Sequence, residues 1–291
     1  MESIREIPIV ARAELYRMLR SARTIVLLGL YCLFSTLVLL IVGSVARAFQ
    51  SSVNRQIGGQ ADPEAIQRAF AEARRGVLGF LVSGDAAILE ALKQIPLVIV
   101  IVFKVTLLFL PVYVALIGFD QMSGELSQRS IRYLTVRSRR SSILFGKFAA
   151  QAALLVGLVL LVDLGVFLYA KATNDDFGTA LAAKTLLRFW LAAIVFSVAY
   201  VALTSLCSAL FRAPALSLVV NFAALFGFWL LDAIGQPDTA LAPLRYFSPS
   251  QYSANLLHPR LAEFAVSAGA YAGFGAAYLC LAYLVMRSRD L

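Results

Sequence analysis

IPLVIVIVFKVTLLFLPVYVALIG, residues 95–118, is a run of 24 residues in which Lys104 is the only charged side chain. About 20 helical residues, rising 1.5 Å each, cross the roughly 30 Å of hydrocarbon in a bilayer. The stretch is therefore long enough to span a membrane as one helix. Five more stretches meet the same test: 24–46, 148–170, 189–211, 215–234 and 265–286. None alternates apolar with polar residues, as the strands of a membrane barrel do. Helices satisfy their own backbone groups in lipid, so the sequence predicts an all-α polytopic membrane protein with six transmembrane helices in one domain, 1–291.

Composition points the same way. Of 291 residues, 60% are hydrophobic and 15% charged, with a mean hydropathy of +0.79. A soluble domain carries about a quarter charged residues, and one core cannot hide this much apolar surface. A disordered chain, a disulfide-stapled domain and a water-soluble enzyme are poor fits. Cys32, Cys207 and Cys280 are an odd set at wide spacing inside apolar runs, without disulfide or metal-ligand spacing.

Orientation follows from lysine and arginine near the span ends. With the N-terminus inside, segments 1–23, 119–147, 212–214 and 287–291 hold 14 basic residues in 60, against 11 in 96 for 47–94, 171–188 and 235–264. Nine acidic residues leave the outer segments at only +2. The net charge of +9 is thus concentrated at the cytoplasmic face and calls for no nucleic acid. The first apolar run is longer than a signal-peptide core, and the leader carries Glu2, Glu6 and Glu14, so the first helix is expected to be retained.

Within residues 1–23, Ile4, Ile7, Ala11, Leu15, Met18 and Ala22 form one apolar stripe, with Arg5, Arg12, Arg20 and Arg23 elsewhere on the wheel. This predicts an amphipathic interfacial helix in the headgroup plane; a leader docked on its own bundle is the alternative. In loop 47–94, Asp62-Pro63-Glu64 reads as a helix start followed by Ile66, Phe70, Ala73, Val77 and Leu81 at helical spacing, and Asp85 as a second start. Loop 235–264 carries Pro237, Pro243, Pro249 and Pro259 among apolar residues, which predicts short broken or re-entrant helices. His258 has no metal or nucleophile partner in sequence and reads as structural.

No catalytic motif is visible: H-E-x-x-H, G-x-S-x-G and C-x-x-C are absent, and Gly146-Lys147 lacks the upstream glycine of a phosphate loop. No cofactor or metal is assigned to this chain. Two ionisable residues lie within spans. Lys104 is about 14 Å from the outer end of the second and Asp163 about 10 Å from the outer end of the third, taking 1.5 Å per residue. Buried charge in lipid pairs or faces a cavity, so an ion pair is expected between them. Gly269, Gly273 and Ala277 form a small-residue stripe on the sixth span, which predicts a packing face.

The remaining long cytoplasmic stretch is 119–147. It runs Phe119-Asp120-Gln121-Met122-Ser123-Gly124-Glu125, then a leucine-rich turn with Arg129 and Arg132, then Arg139-Arg140 and Gly146-Lys147. An acid at the end of the second span, Gly-Glu, a basic pair and Gly-Lys opening the third resemble the membrane subunits of the ABC-2 superfamily of ABC transporters. Phe247-Ser248-Pro249-Ser250-Gln251-Tyr252 with Leu256-Leu257 is similar to the Ser-Pro-x-x-Tyr stretch that such permeases carry before the last span. Ser130-Ile131-Arg132 stands where the family has a Gly-Thr-Leu turn, and Arg137 where it has a proline.

The resemblance implies a type V exporter-like transmembrane domain in a bacterial cytoplasmic (inner) membrane, with both termini cytoplasmic. It implies a dimer, of one chain or two related chains, that binds two cytoplasmic ATPase subunits holding ATP and Mg. Residues 119–147 would supply the coupling helix. Asp120, Gly124 and Glu125 would shape its start, Arg129, Arg132, Arg139 and Arg140 would meet the ATPase or lipid headgroups, and Gly146 and Lys147 would open the third span. The implied function is export of a hydrophobic or amphipathic substrate by a permease with no enzymatic site of its own. A mechanical transmitter acting on an extracytoplasmic partner and a secondary transporter are the competing readings.

Overall fold

A computed structural model describes residues 2–56, 71–72, 74–79, 85–130, 138–173, 177–235 and 241–289. Among them the chain is all-helical, and six helices are long and apolar enough to cross a membrane. The candidate spans are Ala22–Val45, Leu97–Ser127, Arg140–Thr173, Thr179–Leu210, Pro214–Ile234 and Leu261–Ser288. Successive spans run in opposite directions, so the bundle has two ends. One carries the N-terminal helix Glu2–Arg20, the short helix Ser123–Ser127 and the end of the last span. We call this the loop end; 85–96, 177–178 and 241–260 lie at the other.

Two spans outrun their hydrophobic cores. The first helix continues from Ala22 to Gln56, and the third runs from Arg140 to Thr173, adding a turn or more at the loop end. That extension carries Gly146 and Lys147 out of the bundle centre toward the N-terminal helix. The break at Ser21 separates the N-terminal helix from the first span. The stripe of Ile7, Ala11, Leu15 and Met18 packs inward, with the helix docked on the start of the third span.

The fourth span is the most enclosed, and the first and fifth are the least. The Phe189 ring on the fourth lies 4.2 Å from Phe103 on the second, tilted by 35°, and meets Phe167 of the third edge-on at 5.9 Å. Offset and edge-to-face rings add to the dispersion contacts that hold helices together where lipid offers no hydrophobic drive. Buried amides join spans as well. Gln151 Nε2 donates to the Val114 carbonyl at 3.1 Å, and Asn221 Nδ2 donates to Thr204 Oγ1 at 2.8 Å. Gly118 permits the first of these, since a Cβ there would overlap the Gln151 amide at 2.0 Å.

The sixth span packs on the fourth through Gly275, whose Cβ position lies 3.5 Å from Val198 Cγ1. Gly269 and Gly273 meet nothing within 4 Å, so the stripe expected to be a packing face points out of the chain's own bundle. Spacing set the stripe correctly but not the face it turns to the protein.

At the other end, Asp85 caps helix Ala86–Leu92 by accepting from the N–H groups of Ala87 and Ile88 at 2.8 and 3.3 Å. The proline-rich loop folds as three short 3-10 helices, Ala242–Phe247, Pro249–Tyr252 and Ala254–Leu257. Arg188 ties it down by donating to the carbonyls of Leu257 and His258. His258 Nδ1 accepts from the Arg260 N–H at 3.1 Å, a structural role. The helix start expected at Asp62-Pro63-Glu64 lies outside the described residues.

Candidate coupling site at the loop end

The expected Lys104–Asp163 ion pair is not made. Among the described residues no carboxylate lies within ion-pair distance of Lys104, and the buried Asp163 Oδ2 accepts no hydrogen bond. The cause is azimuth rather than depth. Asp163 lies within electrostatic reach of Tyr31, which packs on Tyr113 and beside Thr106. Lys104 stands two residues before Thr106, about 200° away at 100° per residue, on the less buried flank of the same helix.

Charge converges instead at the loop end. Lys147, 1% exposed, reaches Glu125 Oε1 at 2.7 Å and Glu14 Oε1 at 3.2 Å. Arg17 donates to the same two oxygens, Glu14 at 2.6 Å and Glu125 at 3.2 Å. Two acids and two bases from the N-terminal helix, the short loop helix and the third span thus share one closed, neutral network. Burial alone would lower the Arg17 pKa, but the two carboxylates outweigh it and hold it above the ordinary arginine value. Removing one partner of such a network leaves an uncompensated buried charge, whereas the intact set is nearly neutral in stability.

A second clamp lies beside the first. Arg23, at the start of the first span, grips Asp120 with both nitrogens at 2.6 and 2.7 Å, donates to the Ile117 carbonyl at 3.2 Å and lies over the Phe119 ring at 4.9 Å. Bidentate guanidinium–carboxylate geometry fixes orientation as well as distance. Asp120 therefore closes the second span onto the first.

The short helix Ser123–Ser127 is held from behind. Ser208 Oγ, on the fourth span, accepts from the Met122 and Ser123 N–H groups at 2.9 and 3.1 Å. These are orphan donors at a helix start, and all three residues are buried. Ser208→Ala is expected to destabilise this segment by about 1–3 kcal/mol, the cost of buried unpaired donors. Faster hydrogen exchange at 122–127, with the rest of the bundle unchanged, is the readout.

The N-terminal helix reaches this site because the third span offers a glycine. A Cβ at Gly146 would lie 2.7 Å from Cβ and Cγ1 of Val10 and 3.2 Å from the Ile7 carbonyl oxygen. Further along, Glu6 accepts from the Arg139 N–H at 3.2 Å. Bonding from the Ser142 hydroxyl first, then from the Arg139 N–H, lowers the Glu6 pKa from 4.5. A lowered carboxylate pKa stabilises the fold above the ordinary glutamate range and loses that contribution as pH falls through the lowered value. Acidification across that window is expected to loosen the helix from residues 138–143. Glu6→Gln should abolish the pH dependence of protease access there.

The residues expected to couple to an ATPase thus divide. Glu125, Gly146 and Lys147 are buried and face other parts of the chain; Gly124 lies beside Asp120. Arg140 Nη1 donates to the carbonyls of Met286, Arg287 and Arg289 at 2.9, 3.0 and 2.9 Å, so it caps the last span rather than presenting its charge outward. Arg129, with a φ of 56°, and Arg139 are exposed; Arg132 lies outside the described residues. Glu14, Arg17, Arg23, Gln121 and Ser208 were not singled out as site residues from sequence. The signal within reach was Glu14 falling in the middle of an apolar stripe with Arg17 one turn on.

Among the described residues the chain is thus a helical bundle with six helices long and apolar enough to cross a membrane, its loop and amphipathic helix locked together at one end. A family model described as ABC-2 family transporter protein matches residues 9–285, and the chain belongs to that family. It is an ABC-2 type permease, an integral membrane protein of a family that generally works with an ATPase subunit. No curated protein matches the chain.

Proposed function

We propose that the chain is the membrane-spanning subunit of an ATP-driven exporter whose separate ATPase subunits dock at the loop end. The observation that carries this is the Glu14–Arg17–Glu125–Lys147 network, which joins the short loop helix to the N-terminal helix and the third span. A push on the loop helix reaches both elements without slack, since a buried charge network resists separation. In this reading two ATPases holding ATP and Mg act on a dimer of permease chains in a bacterial cytoplasmic membrane, with both termini cytoplasmic. The few charged residues inside the spans favour a hydrophobic or amphipathic substrate.

The docking surface is tested at Arg129, which is exposed and adopts a positive φ. Arg129→Gly removes the charge and relieves a backbone conformation costing an L-residue roughly 1–2 kcal/mol, so the fold holds. Slower association with the ATPase and a weaker salt dependence are expected. An unchanged association rate would remove this surface from the interface.

One observation favours a mechanical transmitter as the second reading. The first helix runs on to Gln56, and Arg74 donates to the Leu92 and Ile95 carbonyls, giving the opposite end its own packed elements. Co-purification of an extracytoplasmic protein would move weight to that reading.

A further inference from the structure

His258, the chain's only histidine, lies between the starts of two helices at the end of the bundle opposite the loop. Its side chain is 7% exposed. On one side, Nδ1 accepts at 3.1 Å from the N–H of Arg260, the residue that caps the sixth span. On the other, Nε2 lies 3.9 Å from Oδ2 of Asp85, the cap of helix Ala86–Leu92. A nitrogen that accepts carries no proton, so the neutral ring holds its proton on Nε2, the Asp85 side.

Asp85 has an oxygen to offer. Its Oδ1 takes the Ala87 and Ile88 N–H groups, which leaves Oδ2 for the ring. At 3.9 Å the neutral imidazole makes no hydrogen bond to it. The other charges around the ring are basic or occupied. Arg188 of the fourth span donates to the carbonyls of Leu257 and His258, and Lys184 stands one turn before it. The sixth span begins with Arg260 and carries Glu263 in its first turn. The hydroxyl of Tyr252, in the neighbouring 3-10 helix, is given to the Tyr246 carbonyl at 3.5 Å. Among the described residues, Asp85 is the one carboxylate within 4.0 Å of the imidazole.

Protonation changes the ring's partner. The added proton goes onto Nδ1, where it confronts the Arg260 N–H, a donor against a donor. The start of a helix and the Arg188 guanidinium both disfavour a positive ring, whereas Asp85 attracts it. We infer that His258 is a pH-sensitive latch: neutral, it holds the start of the sixth span, and protonated, it releases that start and pairs with Asp85. The segment 254–260 then passes from the sixth span to helix Ala86–Leu92. Since the three 3-10 helices join the fifth span to the sixth, acidity at this end alters how these two spans are tied. The inference stands apart from the ATPase reading.

The full chain, purified with a tag that contains no histidine and labelled with 15N-histidine, gives a single imidazole to follow by NMR. It is titrated from about pH 8 to about pH 5, the interval over which imidazoles ordinarily take up a proton. The expected result is the Nε2-protonated tautomer at the alkaline end and a doubly protonated ring at the acid end. In step with it, protection of the Arg260 amide from hydrogen exchange, corrected for the intrinsic pH dependence of exchange, falls about fivefold, the worth of one hydrogen bond. His258→Asn retains an acceptor and should abolish this pH dependence. Asp85→Asn retains the helix cap, since asparagine caps as well as aspartate. It should lower the Tm at the acid end and not at the alkaline end, and His258→Asn should cancel that difference. A ring that stays neutral throughout, or one that titrates with Arg260 protection unchanged, would overturn the inference. An equal cost of Asp85→Asn at both ends would overturn Asp85 as the acid-state partner. If His258→Asn does not fold, the imidazole signal and the Arg260 amide of the unaltered chain decide alone.

Discussion

Lys147→Met is expected to cost about 3–5 kcal/mol, the penalty for removing one partner from a buried charge network. The side chain is 1% exposed and is a direct partner of both Glu14 and Glu125. Without it the two carboxylates keep only Arg17, whose side chain is 58% exposed. The loss should appear as lower thermal stability in detergent and as protease access to the N-terminal helix. Adding Glu14→Gln and Glu125→Gln removes the stranded charges, so the triple variant should regain most of the stability. It should not regain ATP coupling, because the network that ties loop to helix is gone. If Lys147→Met alone is as stable as the unaltered chain, the network is not closed as described.

Gly146→Ala ranks second. One added methyl would lie 2.7 Å from Cβ and Cγ1 of Val10, and the Cβ is fixed to the helix backbone, so no side-chain rotation moves it aside. The N-terminal helix must then shift bodily, and overpacking of this kind costs about 1–3 kcal/mol. Hydrogen exchange across residues 7–18 should rise while the six spans stay protected. Coupling should fall with it, since Glu14 and Arg17 move away from Glu125. Retained protection at 7–18 would show that the close approach at Gly146 does not hold the helix.

Several elements were legible in sequence because they follow from one-dimensional patterns. Length and hydropathy mark the six spans, the Ile7–Met18 stripe marks the packed face of the N-terminal helix, and Asp85 marks a helix start through its own cap. Prolines at 243 and 249 announce the short 3-10 helices. The charge network was only half legible. Glu125 and Lys147 stood out through the resemblance, but their partners Glu14 and Arg17 lie more than a hundred residues away, and no local pattern links such distant positions.

The Lys104–Asp163 expectation failed for a related reason. Counting residues along a span gives depth in the membrane, and the two depths agree. It does not give the rotation of one helix against another, which packing sets. Gly269 and Gly273 repeat the lesson, since the stripe exists but faces away from the fourth span. Asp163 remains a buried carboxylate within electrostatic reach of Tyr31 and without a basic partner within 4.0 Å among the described residues.

The proposal that ATP-driven motion enters through the loop end is tested most directly by purifying the tagged chain from its native membranes in mild detergent. Its partners are then identified by mass spectrometry, with and without crosslinking. The expected result is a P-loop ATPase in a one-to-one ratio with the chain, crosslinked to residues around Arg129. A chain that purifies alone, with no ATPase even after crosslinking, would contradict it.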